Sequence, residues 1–219
     1  FIEQLFLVIS VYLLAAFLIS IPFYLSNYQT TFLNSFFESI SGLTGTGFSI
    51  FKNIKYVDPT LILWRSSSQW IGGLYFLFFL FLIFSNKKFN YKMTSLTFVS
   101  EGNFSSKDNI KDNLLKIFIY YCILSFGLFI LLSISEIRLF NSLNLSMTLV
   151  SSGGFLPTDS LKNIISSNFQ KIIFIFSFFI TMFNFYLIFN IFDKKSLIRD
   201  HKEDLYLLLL SLILIILIY

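Results

Sequence analysis

The chain has 219 residues, 56% of them hydrophobic and 20% aromatic, against only 13% charged. With a mean hydropathy of +0.77, that balance excludes the soluble globular and disordered classes and points to a polytopic membrane protein. The net charge of +4, the lone Cys122 and the lone His201 offer no disulfide framework, thiolate metal site or histidine cluster. No nucleophile–base constellation is present, so an enzyme is not expected, and neither is a nucleic-acid partner.

Long apolar runs occur at about 5–25, 59–85, 114–135 and 168–192, each near the ~20 residues that cross ~30 Å of hydrocarbon. A fifth, LYLLLLSLILIILIY from Leu205, reaches only ~22 Å at ~1.5 Å per residue. The chain opens on Phe1 with no signal-peptide pattern, so it reads as the interior of a longer sequence.

Two short amphipathic stretches interrupt this pattern, at 31–43 and 139–150. At roughly ~18 Å they are too short to span. Each runs into a segment rich in Gly, Ser and Thr. Irregular backbone at membrane depth survives only inside protein or along a water-filled cavity, so both stretches are expected to be re-entrant helices with loops at their ends. Lysines and arginines cluster in the linkers 86–113 and 193–204, which places those linkers in the cytoplasm and both loops outside. Trp64 and Trp70, with Tyr24, Tyr28 and Tyr56, fit an outer interfacial belt. Gln69, Asn184 and Asn190 are expected to make hydrogen bonds between helices, and His201 to be solvated.

A shift of 107 residues lays LNSFFESISGLTGTGF (33–48) on FNSLNLSMTLVSSGGF (140–155). Asn34, Ser35, Ser39, Gly47 and Phe48 then meet Asn141, Ser142, Ser146, Gly154 and Phe155. Both copies lie between two apolar runs, so the chain reads as helix, pore helix, loop, helix, twice. Tandem copies of one orientation suit a pseudo-symmetric pore along the membrane normal.

The loops have the composition of a carbonyl-lined cation filter, in which backbone oxygens replace an ion's water shell. Glycine permits the backbone angles this needs, hydroxyls add oxygens, and each short helix aims its partially negative C-terminal end at the site. The candidate ion-binding residues are Thr44, Gly45, Thr46, Gly47 and Phe48 in segment 44–49, and Ser151, Ser152, Gly153, Gly154 and Phe155 in segment 151–156. Phe48 and Phe155 are expected to point away and wedge the loops against helices. The hydroxyls of Thr44, Thr46, Ser151 and Ser152 either line the filter or cap the helices. No carboxylate lies in either loop, which argues against a divalent-selective ring. Ordinary Gly/Ser turns are the competing reading.

These residues resemble the Trk/Ktr/HKT potassium-transporter superfamily, in its TrkH-like bacterial membrane subunit. FFESISGLTGTGFSIF resembles the family's first filter region, LWRSSSQWIGGLYFLFF its WRxxxQWLGG signature, and LFNSLNLSMTLVSSGGFLPTDS its second-repeat pattern. FNFYLIF (183–189) and RDHKEDLYLLL (199–209) resemble its next helix and the opening of its third repeat. The chain departs from the pattern at Gly45, where Thr is usual, and at Leu156-Pro157, where Ser-Thr is usual. Proline has no N–H, so the mouth of the second loop is expected to differ.

The resemblance implies an all-α, potassium-channel-like fold of about five transmembrane segments and two re-entrant pore helices. Its parts would be a first repeat at 1–85, a cytoplasmic linker at 86–113, a second repeat at 114–192, and a linker with the start of a third repeat at 193–219. It implies K⁺ uptake through the filter, K⁺ as the transported ion, no organic cofactor, and filter support from Glu38 and Arg65. Implied partners are the remaining pore repeats, in the same full-length chain or a second copy, a cytoplasmic nucleotide-binding subunit, a homodimer of full-length subunits, and the lipid bilayer of a bacterial inner membrane. Alternatives are a Na⁺-permeable or Na⁺-coupled transporter and a non-conducting structural or regulatory half-protein.

Overall fold

In a computed structural model, the structure describes residues 2–28, 30–84 and 110–182, with isolated positions between 206 and 213. Within these it is helical, with no strand. The linker lysines at 87, 88, 92 and 107, Asn184, Asn190, His201 and the bulk of segment 193–219 lie outside the described residues.

Three helices form a first unit: α1 (Ile2–Tyr24), the short α2 (Phe32–Thr44) and α3 (Pro59–Phe84). Three more form a second: α4 (Ile110–Ile134), the short α5 (Leu139–Ser151) and α6, described over Asn168–Met182. Helix α4 starts before the expected 114 because Lys111, Asp112 and Asn113 extend it by a polar first turn, where an acidic side chain suits the positive helix end. Among the described residues, two helices are long and apolar enough to cross a membrane, over Leu5–Tyr24 and Lys111–Ile134. Large side chains such as Phe6, Leu14, Ile123 and Phe126 stand exposed on them, as lipid contact requires. Helix α3 has the length, but Arg65–Gln69 interrupts its apolar run.

The two short helices have 13 residues each, about 20 Å. Their buried faces match at the 107-residue shift: Ser35, Glu38, Ser39, Ser41 and Gly42 in α2, and Ser142, Leu145, Ser146, Thr148 and Leu149 in α5. Small residues on this face let neighbouring helices approach. Single 3-10 turns follow at Ile54–Tyr56 and Leu161–Asn163, again 107 apart.

Each unit has its own apolar core. Ala16, Phe23, Leu43 and Ile62 belong to the first, and Leu128, Leu132, Leu145 and Ile164 to the second. Trp64 Nε1 donates to Ile19 O of α1 (3.1 Å) and Trp70 Nε1 to Ser125 Oγ of α4 (2.8 Å). Both indoles therefore tie helices together, whereas Tyr24 and Tyr56 stand exposed. Tyr28 Oη donates to Tyr56 O (2.9 Å) and accepts from Asp58 N (2.7 Å).

Candidate functional site: two glycine loops on one bracket helix

The loops after α2 and α5 share one backbone course. Gly45 and Ser152 end their helices in the left-handed conformation (φ 67° and 53°). Two residues on, Gly47 and Gly154 are left-handed again (φ 74° and 81°). The cap bonds match too. Gly45 N donates to Gly42 O and Thr46 N to Ser41 O, as Ser152 N does to Leu149 O and Gly153 N to Thr148 O. This is the Schellman pattern, which satisfies the last carbonyls of a helix.

Side chains repeat the correspondence. Ser41 Oγ donates to Phe48 O (2.5 Å) and Thr148 Oγ1 to Phe155 O (2.9 Å), so each short helix holds the far end of its own loop. Thr44 Oγ1 donates back to Ile40 O (2.8 Å) and Ser151 Oγ to Met147 O (2.9 Å). The hydroxyls of Thr44 and Ser151 thus bond to their own helix ends, while both residues also line the cavity below the loops. Thr46 Oγ1 lies 3.1 Å from Ser41 Oγ.

The loops also touch. A Cβ on Gly47 would sit 2.8 Å from Gly153 O and 3.3 Å from Gly154 Cα, so glycine is needed there for space as well as for φ. The carbonyls of Gly45, Thr46, Gly47, Ser152 and Gly154 accept no hydrogen bond from a described residue, while those of Phe48, Gly153 and Phe155 are engaged. Below the loops lies a cavity of about 540 Å³, lined among others by Tyr12, Thr44, Gly45, Gly73, Ser151 and Ser152. The C-terminal ends of α2 and α5, partially negative, meet at its roof.

Helix α3 brackets both loops. Arg65, Gln69, Gly72 and Gly73 are spaced i, i+4, i+7 and i+8, which puts them on one helical face. Arg65 Nε pairs with Glu38 Oε1 at 2.8 Å, with side chains 1% and 0% exposed. Glu38 also accepts from Ser49 Oγ (2.9 Å) and Ile50 N (2.8 Å), and Arg65 Nη2 donates to Ser49 Oγ (3.0 Å). The pair thus anchors the end of the first loop. The guanidinium lies 4.2 Å from the Phe155 ring centroid, a close cation–π contact across the two units. Gln69 reaches the second loop: its Nε2 donates to Gly153 O (2.5 Å), and its Oε1 accepts from Phe155 N and Thr148 Oγ1 (3.3 Å each). A Cβ on Gly72 would collide with Leu43 O of α2, and one on Gly73 would lie 2.7 Å from Tyr121 Oη and 3.0 Å from Ser151 Cβ. The two glycines are notches that admit the ends of both short helices.

One expectation fails. Phe155 is 2% exposed, wedged as foreseen beside Gly42 and Arg65, but Phe48 is 70% exposed and meets no such pocket among the described residues. The second unit also lacks the ion pair. At the positions of Glu38 and Ser49 it has Leu145 and Leu156, and Phe174 stands as far into α6 as Arg65 stands into α3; all three belong to or pack on the second apolar core. The sequence offered Gln69 only a general role between helices, Gly72 and Gly73 only a place in the WRxxxQWLGG resemblance, and Ser41 no role. Their common face with Arg65 was the available signal.

No protein-family model matches the chain. An uncharacterized cation transporter of Methanocaldococcus jannaschii is 32% identical over 148 residues, 65% of this chain and 30% of that protein. The Trk system potassium uptake protein TrkI of Halomonas elongata is 40% identical over 55 residues, 25% of this chain and 11% of that protein. The crystal structure of the potassium transporter TrkH from Vibrio parahaemolyticus superposes with a TM-score of 0.71 over 88% of this chain and 38% of its own, at 19% identity. The chain therefore spans less than half the length of the proteins it matches. Paired units, a shared backbone course in both loops and these likenesses converge: the chain is TrkH-like in fold and similar in sequence to membrane cation transporters of the Trk type, which are not enzymes.

Proposed function

We propose that the chain takes part in K⁺ uptake, with segments 44–49 and 151–156 each supplying one quarter of a selectivity filter. The observation that carries this reading is the matched pair of left-handed positions, Gly45/Ser152 and Gly47/Gly154, in two loops that touch each other above a cavity. An ion stripped of water needs several oxygens at once. The carbonyls of Gly45, Thr46, Gly47, Ser152 and Gly154 are the free ones. Those of Phe48, Gly153 and Phe155 are spent on Ser41, Gln69 and Thr148, which assigns these three residues to holding the loops in shape. Glu38 and Arg65 brace the first loop from behind. The cavity beneath is the inner vestibule, and the first and second repeats are the units α1–α3 and α4–α6.

Two loops do not enclose an ion, so the remaining quarters come from further repeats of the full-length protein or from a second copy. A cytoplasmic nucleotide-binding subunit, a homodimer of full-length subunits and a bacterial inner-membrane location belong to the same reading. The experiment is growth of cells without K⁺ uptake systems on low K⁺, rescued by the full-length protein. Gly47→Asp and Gly154→Asp are expected to abolish rescue, and the amount of each variant in the membrane, measured beside growth, separates lost transport from lost protein. Rescue left intact by both would sink the filter assignment.

A further inference from the structure

The repeat breaks in the middle of the loops, at Thr46 and Gly153. Thr46 and Gly153 occupy equivalent positions, each between two left-handed residues. In the first loop the Thr46 side chain turns behind the backbone and meets the hydroxyl of Ser41 at 3.1 Å. The second loop has no side chain there. A Cβ on Gly153 would collide with the carboxamide of Gln69, whose Cδ, Oε1 and Nε2 are the three nearest atoms to it. That carboxamide accepts from Thr148 Oγ1, the counterpart of Ser41, and also binds Gly153 O and Phe155 N. So the same space behind each loop is filled by a polar group touching the same helix position. In one loop the group is the loop's own threonine; in the other it is a glutamine from the neighbouring unit. Gln69 is fully buried and lies 84 residues from Gly153 in the chain.

We infer that Gln69 is a positioning residue for the second filter loop, substituting in trans-unit fashion for the side chain that Gly153 lacks, and that it sets which carbonyls of that loop face the ion. By taking Gly153 O, which lies against Gly47, Gln69 withholds that oxygen from the ion and leaves those of Ser152 and Gly154 for it. It also fixes the second loop relative to the first, because its own helix is tied to the first loop through Arg65 and Glu38. This inference rests on the filter reading above and goes beyond it by naming a residue outside both loops that tunes their selectivity.

The test is a compensation cycle in the full-length protein, reconstituted in proteoliposomes, with K⁺ and Na⁺ uptake measured side by side. Gln69→Met keeps the volume and removes all three hydrogen bonds. It is expected to assemble as the wild type does, yet to lower the K⁺ over Na⁺ preference by at least about fivefold, since buried loop groups are left unpaired. Gly153→Thr alone is expected to be as damaging, because its side chain meets the Gln69 carboxamide. Gln69→Ala with Gly153→Thr rebuilds the first loop's arrangement in the second, and is expected to return selectivity to within about threefold of wild type, below the cost of one unpaired group. A double variant no better than Gly153→Thr, or Gln69→Met with unchanged selectivity, overturns the inference. Gly47→Asp, run in parallel, keeps the two readings apart. If it abolishes uptake while the cycle shows no compensation, the filter stands and the Gln69 role falls. If it leaves uptake intact, the filter reading itself falls and takes the Gln69 role with it.

Discussion

Glu38→Gln tests whether charge, and not shape, holds the first loop. The change keeps the volume of a side chain that is 0% exposed and leaves the Arg65 guanidinium, 1% exposed, without a counter-charge. An amide nitrogen also replaces one of the two oxygens that accept from Arg65 Nε, Ser49 Oγ and Ile50 N. Removing one partner of a buried pair costs ~3–5 kcal/mol, a factor of roughly 150–5,000 in the folding equilibrium. For a chain of 219 residues that corresponds to a fall of about 6–20 °C in Tm, read from thermal unfolding in detergent. The second unit shows another way to build the site, with Leu145 and Phe174 where the first has Glu38 and Arg65. Glu38→Leu together with Arg65→Phe is therefore expected to recover most of what either single change loses, because a buried ion pair replaced by packed apolar groups is often neutral. A Tm within about 1 °C of wild type for Glu38→Gln, or a double variant as unstable as the sum of the singles, refutes the reasoning.

Other substitutions separate space from backbone angle. Gly47→Ala meets both a left-handed φ and Gly153 O at 2.8 Å, while Gly154→Ala meets the φ and only an ordinary contact at 3.6 Å. Both lose ~1–2 kcal/mol to backbone strain, and Gly47→Ala is expected to be the worse in Tm and K⁺ uptake. Gly72→Ala drives a methyl into the Leu43 backbone and is expected to lower the yield of folded protein sharply, whereas Gly127→Ala, with nothing within 4 Å of the new Cβ, is expected to be neutral or to stabilise α4 by up to about 1 kcal/mol. Phe155→Ala empties a buried site under Arg65 and is expected to cost ~3–5 kcal/mol. Phe48→Ala, at an exposed ring, is expected to leave the Tm of these two units unchanged.

Much of this architecture is legible in the sequence because membrane segments obey length. Runs of about 20 apolar residues and two stretches too short to span gave helices whose ends the structure moves by a few residues. The 107-residue shift found the paired short helices, and the structure extends it to caps, φ angles and hydroxyl bonds that no substitution pattern displays. What stayed hidden is asymmetric by nature. A repeat predicts that equivalent residues do equivalent things, so it foresaw Phe48 and Phe155 as matching wedges, whereas the structure buries Phe155 under Arg65 and leaves Phe48 exposed. It also took Gly153 as one more ion-binding residue of its loop. In the structure that glycine is the space into which Gln69 reaches. Spacing along α3 held the missing information, since Arg65, Gln69, Gly72 and Gly73 share a face and a helix with charge, amide and two notches on one side must meet something polar and close. Each of those four meets a different short helix or loop. The helix between the two glycine loops thus carries more of the site's geometry than either loop, and, on the filter reading proposed above, selectivity is expected to respond to changes on α3 as strongly as to changes in the loops themselves.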